Sequence, residues 1–183
     1  MEDFNERVRA AAKAGAKAEL KALLREPGCD ALSKDERGMT ALIWAAFAVH
    51  EACVGLLLPA SDALAKDALG MTALMWAAWS GHEACVGLLL PASDALSKDK
   101  DGMTALMHAA KFGHENCARL LLPTSDALAK TKSGVTASEW ARSRRHESLA
   151  QFIGAYALAK GEQSALEVAA RAGAPRGGAG RRV

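Results

Sequence analysis

Cysteine and histidine are the residue types here with the greatest capacity for chemistry, and both recur at a constant interval. Cys53, Cys85 and Cys117 are evenly spaced along the sequence. Equivalent positions on neighbouring packed helices are about 8–10 Å apart, whereas a disulfide needs Cα atoms within roughly 7 Å. One tetrahedral metal site does not readily collect ligands from successive layers either. The spacing therefore favours buried structural thiols in a reducing compartment, cytoplasmic or nuclear, and predicts no metal site.

Four of the five histidines follow the same interval, at a predicted turn: His50, His82, His114 and His146. A residue type required four times at one turn is more consistent with satisfying backbone groups than with catalysis. No serine has a histidine and an acid that the pattern would bring together, and no glycine-rich loop follows a strand. The sequence therefore predicts a protein that is not an enzyme and holds no cofactor, with catalysis as a remote alternative.

An internal repeat with a constant period organises the chain. Its clearest copies are GMTALIWAAFAVHEACVGLLLPASDALAKD (38–67), GMTALMWAAWSGHEACVGLLLPASDALSKD (70–99) and GMTALMHAAKFGHENCARLLLPTSDALAKT (102–131). In the middle copy, Thr72 can cap a first helix, and Gly81 suits the left-handed position after it. The second helix runs from Glu83 to Leu90, where Pro91 ends it. Each copy thus predicts a turn and two short helices joined by a tight turn.

The composition also favours helices. Half of the 183 residues are apolar, and Ala and Leu far outnumber Val and Ile among them. Unbranched side chains lose little rotamer freedom in a helix, whereas β-branched ones lose more. The predicted fold class is therefore all-α. No apolar run approaches the length of a transmembrane helix, the acidic N-terminus is not a signal peptide, and a net charge of +2 does not indicate a nucleic-acid partner.

The repeated motif resembles the ankyrin repeat, whose signature is Gly-x-Thr-Pro-Leu-His-x-Ala-Ala. In this chain it reads Gly70-Met71-Thr72-Ala73-Leu74-Met75-Trp76-Ala77-Ala78, followed by Gly81-His82 and Leu88-Leu89-Leu90. The resemblance covers residues from about 5 to 158 and implies an ankyrin-repeat solenoid of about five stacked helix-turn-helix units, caps included. The usual proline is alanine here, the usual histidine is Ile43, Met75, Met107 or Glu139, and Val49 replaces a glycine expected at positive φ.

The repeat interval predicts the organisation of the chain. An N-terminal capping repeat covers 1–32, ankyrin repeats cover 33–64, 65–96 and 97–128, and a degenerate C-terminal capping repeat covers 129–160. Residues 161–172 could form one extra helix, and 173–183 are expected to be a disordered basic tail. Caps are expected because the end faces of a linear stack meet water.

The positions that differ between copies indicate where a partner would bind. On the first helix they are Trp44/Trp76/His108, Phe47/Trp79/Lys111 and Ala48/Ser80/Phe112, which share one helix face. Before the turn glycine they are Glu36-Arg37, Ala68-Leu69 and Lys100-Asp101, each pair followed by the turn glycine and then Met39, Met71 or Met103. The resemblance implies that this helix face lines a concave groove and that the turns form fingertips, where partners of the family usually bind.

The candidate partner-binding residues follow from that resemblance. They are Trp44, Phe47, Trp76, Trp79, His108, Lys111 and Phe112 in the groove, and Arg37, Leu69, Met71, Lys100, Asp101 and Met103 at the fingertips. Aromatic clusters on a solvent face match the composition of interface hot spots. Two alternatives stay open: the recurring Trp44, Trp76 and Trp140 could only pack on one another, and the fingertip methionines could equally serve packing. Trp79 and Phe112 break the repeat, so a requirement common to all copies does not explain them.

The predicted function is a non-catalytic protein–protein interaction module, a monomer that acts as scaffold, adaptor or inhibitor and has no membrane partner. The alternative is association with nucleic acid through Arg142, Arg144, Arg145 and the segment Arg176-Gly177-Gly178. A single such triplet is a weak signal, and a solvated end is the more common explanation for it. A fold-level resemblance does not identify the partner.

Overall fold

The computed structural model describes residues 4–173, with side-chain surroundings through residue 161. The helices are α1 (Phe4–Ala14), α2 (Lys17–Leu23), α3 (Ala41–Phe47), α4 (Glu51–Leu57), α5 (Ala73–Ser80), α6 (Glu83–Leu89), α7 (Ala105–Phe112), α8 (Glu115–Leu121), α9 (Ala137–Ser143) and α10 (Glu147–Gly173). No strand forms within 4–173. The all-α prediction is confirmed, and we number the repeats one to five by successive helix pairs, from α1/α2 to α9/α10.

Threonine and glycine set the ends of the first helices as predicted. The Thr72 hydroxyl accepts a hydrogen bond from the Met75 amide, and the threonines before α3, α7 and α9 do the same. Gly81 ends α5 with φ of 80°. The second helix ends one residue earlier than predicted, because Leu90 belongs to a 3₁₀ turn that includes Pro91 and is only partly buried.

The helices form two layers around one continuous core. First helices pack on first helices from α1 to α9, and second helices pack on second helices from α2 to α8. Leucines and alanines fill the space between the layers, and Cys53, Cys85 and Cys117 are buried there as free thiols. Burial raises the pKa of the Cys85 and Cys117 thiols to about 11, so both stay protonated at neutral pH. The prediction of buried structural thiols is confirmed at these positions.

The C-terminal helix differs from its prediction. Residues 161–172 do not form a separate extra helix, because α10 continues from Glu147 to Gly173 without a break. The joining sequence consists mainly of good helix formers, so nothing ends the helix at the predicted boundary. Gly173, the first residue of the predicted basic tail (173–183), is instead the last residue of α10, and the tail from residue 174 onward lies outside the described residues. Across the described helices, none is long and apolar enough to cross a membrane.

The turn between the two helices of a repeat fixes the next repeat through histidine. A Cβ added to Gly81 would lie 2.5 Å from Nδ1 of His114, so this ring packs directly on the glycine backbone. From there, Nε2 of His114 makes a 3.1 Å hydrogen bond with the carbonyl oxygen of Trp79. His50 makes the equivalent bond to Lys13 at 3.0 Å. The prediction that turn histidines satisfy backbone groups is therefore confirmed for these two.

Val49 changes this arrangement in repeat two. Its φ is 74°, the left-handed conformation predicted for this position. Its side chain projects from the position that is bare at Gly81, and His82 makes no side-chain hydrogen bond within the described part of the chain. The carbonyl oxygen of Phe47 instead accepts a 3.3 Å hydrogen bond from the Ser80 hydroxyl. Valine therefore adds backbone strain at this turn.

Replacing Val49 with glycine should raise the free energy of unfolding by about 1 kcal/mol. The left-handed conformation costs a non-glycine residue about 1–2 kcal/mol, and the greater freedom of glycine in the unfolded chain offsets part of that gain. Urea unfolding followed by circular dichroism measures the change. Gly81→Val is the reciprocal variant and should be destabilising, because its Cβ would collide with His114. Unchanged or lowered stability of Val49→Gly would contradict this account of the turn.

Candidate functional site

Five aromatic side chains form a continuous cluster across repeats two, three and four. We call Trp44, Phe47, Trp76, Trp79 and Phe112 the aromatic cluster. The centroids of Phe47 and Trp76 and those of Trp79 and Phe112 are 5.1 Å apart, and Trp76 joins Trp79 at 5.6 Å. These three pairs have the edge-to-face geometry that aromatic rings prefer. The structure thus brings together all five aromatic residues predicted for the groove, each at least partly exposed.

Trp44 and Trp76, which occupy equivalent positions on α3 and α5, also have a structural role. Nε1 of Trp44 donates a 2.8 Å hydrogen bond to Oδ2 of Asp35, and Nε1 of Trp76 donates one of the same length to Asp67. In repeat four, Nε2 of His108 lies 2.8 Å from Oδ2 of Asp99. This recurring position joins the first helix to the turn that precedes it. The structure therefore supports the packing alternative for part of Trp44 and Trp76, although both keep exposed surface.

The same aspartates shape the fingertip turns. Oδ1 of Asp99 accepts hydrogen bonds from the amides of Asp101 and Met103 at 2.9 and 2.8 Å. Burial acts to raise the pKa of Asp99, but the hydrogen bonds from His108, Met103 and Asp101 and the charge of His108 outweigh it and hold the pKa below its ordinary value. Burial is likewise outweighed at Asp35, whose pKa is lowered by hydrogen bonds from Met39, Trp44 and Arg37. The folded turns thus favour the ionised carboxylates.

Adjacent fingertips are held together by their backbones. The amide of Ala68 donates to the carbonyl oxygen of Arg37 at 2.8 Å, and the amide of Lys100 donates to that of Leu69 at 3.0 Å. The amide of Lys132 continues the series by donating to Asp101 at 3.0 Å. Because the backbones pair at each step, side chains at these turns project from a fixed edge. Arg37, Leu69, Lys100 and Asp101 are all exposed there, as the sequence predicts.

Three of the thirteen predicted site residues are buried instead. Met71 and Met103 are each 4% exposed, and His108 is 6% exposed. The methionine side chains enter the core beneath the turn, which matches the packing alternative for them. His108 points its ring at Asp99, so it takes the structural place of the tryptophans. We therefore remove these three residues from the candidate surface.

A cavity of about 370 Å³ lies between the fingertips of repeats two and three. Trp44, Phe47 and Trp76 line its base, and Arg37 and Leu69 lie at its fingertip side. Glu36, Met39, Asp67 and Ala68 complete the lining. Glu36, Met39 and Ala68 belong to the turns that the sequence indicates, but only the structure shows that two successive turns and Asp67 enclose one space. The cavity joins the helix face and the fingertips into one site.

Lysines lie against both ends of the aromatic cluster. Nζ of Lys13 is 4.4 Å from the ring centroid of Trp44, within the range of a cation–π contact. Nζ of Lys111 is 5.7 Å from the centroid of Phe112 and 4.7 Å from that of Trp140. The sequence pattern indicates Lys111 but not Lys13. One repeat interval after Lys13 comes Ala45 rather than Phe47, so the pattern does not align Lys13 with the groove positions.

The last repeat lacks the bond between turn and tryptophan. Thr131 stands where the other repeats have aspartate, and its hydroxyl bonds to the Val135 amide and the Ser133 hydroxyl. Nε1 of Trp140 is buried and has no hydrogen-bond partner within the described residues. An unsatisfied buried donor costs about 1–3 kcal/mol. Trp140 thus occupies the recurring position without the acceptor that position normally supplies.

Replacing Thr131 with aspartate should stabilise the chain by about 1 kcal/mol, because its carboxylate can accept the orphaned indole N–H. Urea unfolding measures the gain, and slower hydrogen exchange at the Trp140 indole localises it. Asp67→Thr is the matched reverse variant and should lower stability, since Trp76 would lose its acceptor. If Thr131→Asp changes neither stability nor indole exchange, the carboxylate–indole bond is not the missing element.

The free energy of unfolding should decrease as the pH is lowered and the turn carboxylates become protonated. Since the folded pKa values of Asp35 and Asp99 lie below their unfolded values, their contribution is complete above about pH 4 and is lost as pH falls through the folded pKa. Urea unfolding from neutral to acidic pH measures this loss. Asp99→Asn should reduce the slope of the free energy of unfolding against pH, with Asp101→Asn, in the same fingertip turn, as the control. Equal slopes in both variants would contradict the assignment to Asp99.

Within the described part of the chain, no group of three or more His, Cys, Asp or Glu side chains is arranged to hold a metal ion. None of the curated proteins compared with the chain matches it. A family model for ankyrin repeats, in three copies, matches residues 8–99 and 88–162. These matches cover most of the sequence and agree with the stacked helix pairs, the threonine caps and the left-handed glycines described above. The chain therefore belongs to the ankyrin-repeat family.

Proposed function

We propose that this chain is a non-catalytic protein-interaction module that binds one partner protein through the aromatic cluster and the adjoining fingertips. Ankyrin repeats are generally protein–protein interaction modules. The paired fingertip backbones and stacked helices form a rigid surface, so binding would require little ordering of this side. Scaffolding, recruitment and inhibition all use such a surface equally well.

The observation that carries this proposal is the pair Trp79 and Phe112. The Trp79 indole makes no hydrogen bond to the rest of the described chain, in contrast to the indoles of Trp44 and Trp76. Phe112 is 39% exposed, and its ring packs edge-to-face on Trp79 rather than entering the core. Both interrupt an otherwise regular repeat, so the frame does not require them. Exposed, clustered aromatic rings of this kind are typical of binding hot spots.

The chemistry of the described side chains supports a role without catalysis. The imidazoles of His50 and His114 are committed to backbone carbonyls, and His108 is committed to Asp99. The Cys85 and Cys117 thiols are buried and stay protonated, which makes them poor nucleophiles. Free buried thiols also suit a reducing compartment, cytoplasmic or nuclear. We infer that the chain is a monomer in that compartment and that its groove binds a different protein rather than a second copy of itself.

The double variant Trp79→Ala, Phe112→Ala should lose partner binding while keeping its fold. Removing two hot-spot aromatics weakens binding by about 100-fold or more. Affinity capture from a lysate of the source cells, followed by mass spectrometry, compares the variant with the wild-type chain. Circular dichroism checks that the variant is folded.

The matched control is Leu88→Ala, Leu120→Ala, which removes two exposed leucines from the layer of second helices. We expect this control to capture the same partner as the wild-type chain. A partner that is retained by the aromatic variant and lost by the leucine control would place binding on the opposite layer and contradict the proposal.

A further inference from the structure

The groove changes character between its two halves, and its first half is apolar. The cavity between repeats two and three has Trp44, Phe47 and Trp76 at its base and Leu69 at its edge. Its two adjacent fingertip charges, Glu36 and Arg37, have opposite sign. A volume of about 370 Å³ accommodates one large apolar side chain with room for its neighbours. This half therefore suits an aromatic or large aliphatic anchor.

The second half of the same groove is cationic. Lys111 lies on the helix face of repeat four, while Lys100 and Lys132 lie on successive fingertips. Arg144 occupies in repeat five the position that Phe112 has in repeat four. Within the part of the chain whose side chains are described, none of these four cations forms an ion pair.

The acids near these cations are mostly committed elsewhere. The Asp99 carboxylate is buried against His108, and the Glu139 carboxylate closes the capping box at the start of α9. Asp101 is the exposed fingertip acid between Lys100 and Lys132. The four cations outnumber Asp99, Glu139 and Asp101, so this half keeps a net positive charge, which attracts carboxylates and repels basic segments.

We propose that the partner binds this groove with one linear segment, in which a large apolar side chain occupies the cavity and a group of Asp or Glu side chains contacts Lys100, Lys111, Lys132 and Arg144. This inference rests on the proposed function and specifies the partner's chemistry. The apolar anchor supplies most of the affinity, because the aromatic cluster is desolvated by it. The carboxylates set the orientation of the segment and the rate of association.

The repeat geometry fixes the spacing in that segment. Neighbouring layers are about 8–10 Å apart, and the cations begin about one and a half layers beyond the cavity and end about two and a half layers beyond it. The carboxylates therefore lie about 12–25 Å from the anchor at that layer spacing. An extended segment covers about 3.3 Å per residue, which places about four to eight residues between the anchor and the acidic group.

An acidic protein segment fits this groove better than a nucleic acid does. A single-stranded nucleic acid requires a continuous positive track along its phosphates. Here Asp101 interrupts the four cations of the second half, and the aromatic rings separate them from Lys13 at the other end of the cluster. The other half offers apolar rings enclosed by fingertips, in a cavity that also includes the carboxylate of Glu36.

Selection from a displayed library of random peptides tests the inference on the full-length chain. Parallel selections use three double variants. The groove lysine variant carries Lys111→Glu and Lys132→Glu, and the aromatic double variant is the one described above. The α2 control carries Lys17→Glu and Lys21→Glu, which make the same charge change on the exposed surface of α2. Enriched peptides are then synthesised with a fluorescent label, and fluorescence anisotropy gives their Kd at low and high salt. Labelled oligothymidylate is measured in the same way.

We expect the wild-type chain to enrich peptides with a large apolar residue and an acidic group about four to eight residues away. Their Kd should rise about tenfold or more in the groove lysine variant and also with added salt. The α2 control should bind them with the same Kd as the wild-type chain. Peptides that need the aromatic rings yet show no acidic bias would overturn this inference and leave the proposed function standing. If the aromatic double variant enriches the same peptides as the wild-type chain, both this inference and the proposed function are overturned. Tighter binding of oligothymidylate than of any peptide, lost in the groove lysine variant, would assign the cations to nucleic acid instead.

Discussion

In repeats two to four, the carboxylate at the start of the fingertip turn is the interaction on which the groove depends. One oxygen of Asp67 accepts the amides of Leu69 and Met71 at 2.8 Å, and the other accepts the indole N–H of Trp76 at 2.8 Å. A single side chain therefore closes the turn and anchors it to the following helix. The fingertip and the ring at the base of the cavity take fixed positions relative to each other for this reason. A binding surface built on such a contact is preorganised.

Contacts between neighbouring repeats extend this order along the stack. Fingertip amides bond to the preceding fingertip, and turn histidines such as His114 pack on the glycine of the preceding repeat. Each repeat touches its neighbours only, as in other solenoids, so a local defect weakens one interface without altering the rest. Val49 and Thr131 are defects of this kind. Val49 places a β-branched residue at positive φ, and Thr131 leaves the Trp140 indole without its usual acceptor.

Much of the fold follows from sequence because its signals are local and repeated. Threonine caps, the left-handed Gly81 and the proline after the second helix act within a few residues of each helix end, so the repeat interval identifies them. Which fingertip residues are buried is harder to predict from sequence. Met71 lies two residues after exposed Leu69, and the two differ in the direction of their side chains. Lys13 is missed for another reason: the interval between repeats one and two is longer, and only packing shows that it lies over Trp44.

The near identity of the repeats separates the frame from the binding surface. Positions that build the turns and core must stay the same in each copy, because each copy makes the same contacts with its neighbours. Trp79 contacts both Phe47 and Phe112 across the repeats, but with side chains that differ from those at the same positions in other copies. Leaving the rings of Trp79 and Phe112 in water is unfavourable. The lysines of repeats four and five form no ion pair among the described side chains, although Lys111 lies over the Trp140 ring of the next repeat. A surface whose aromatic rings and cations differ from one repeat to the next, while the frame stays constant, is best explained by a partner that binds them.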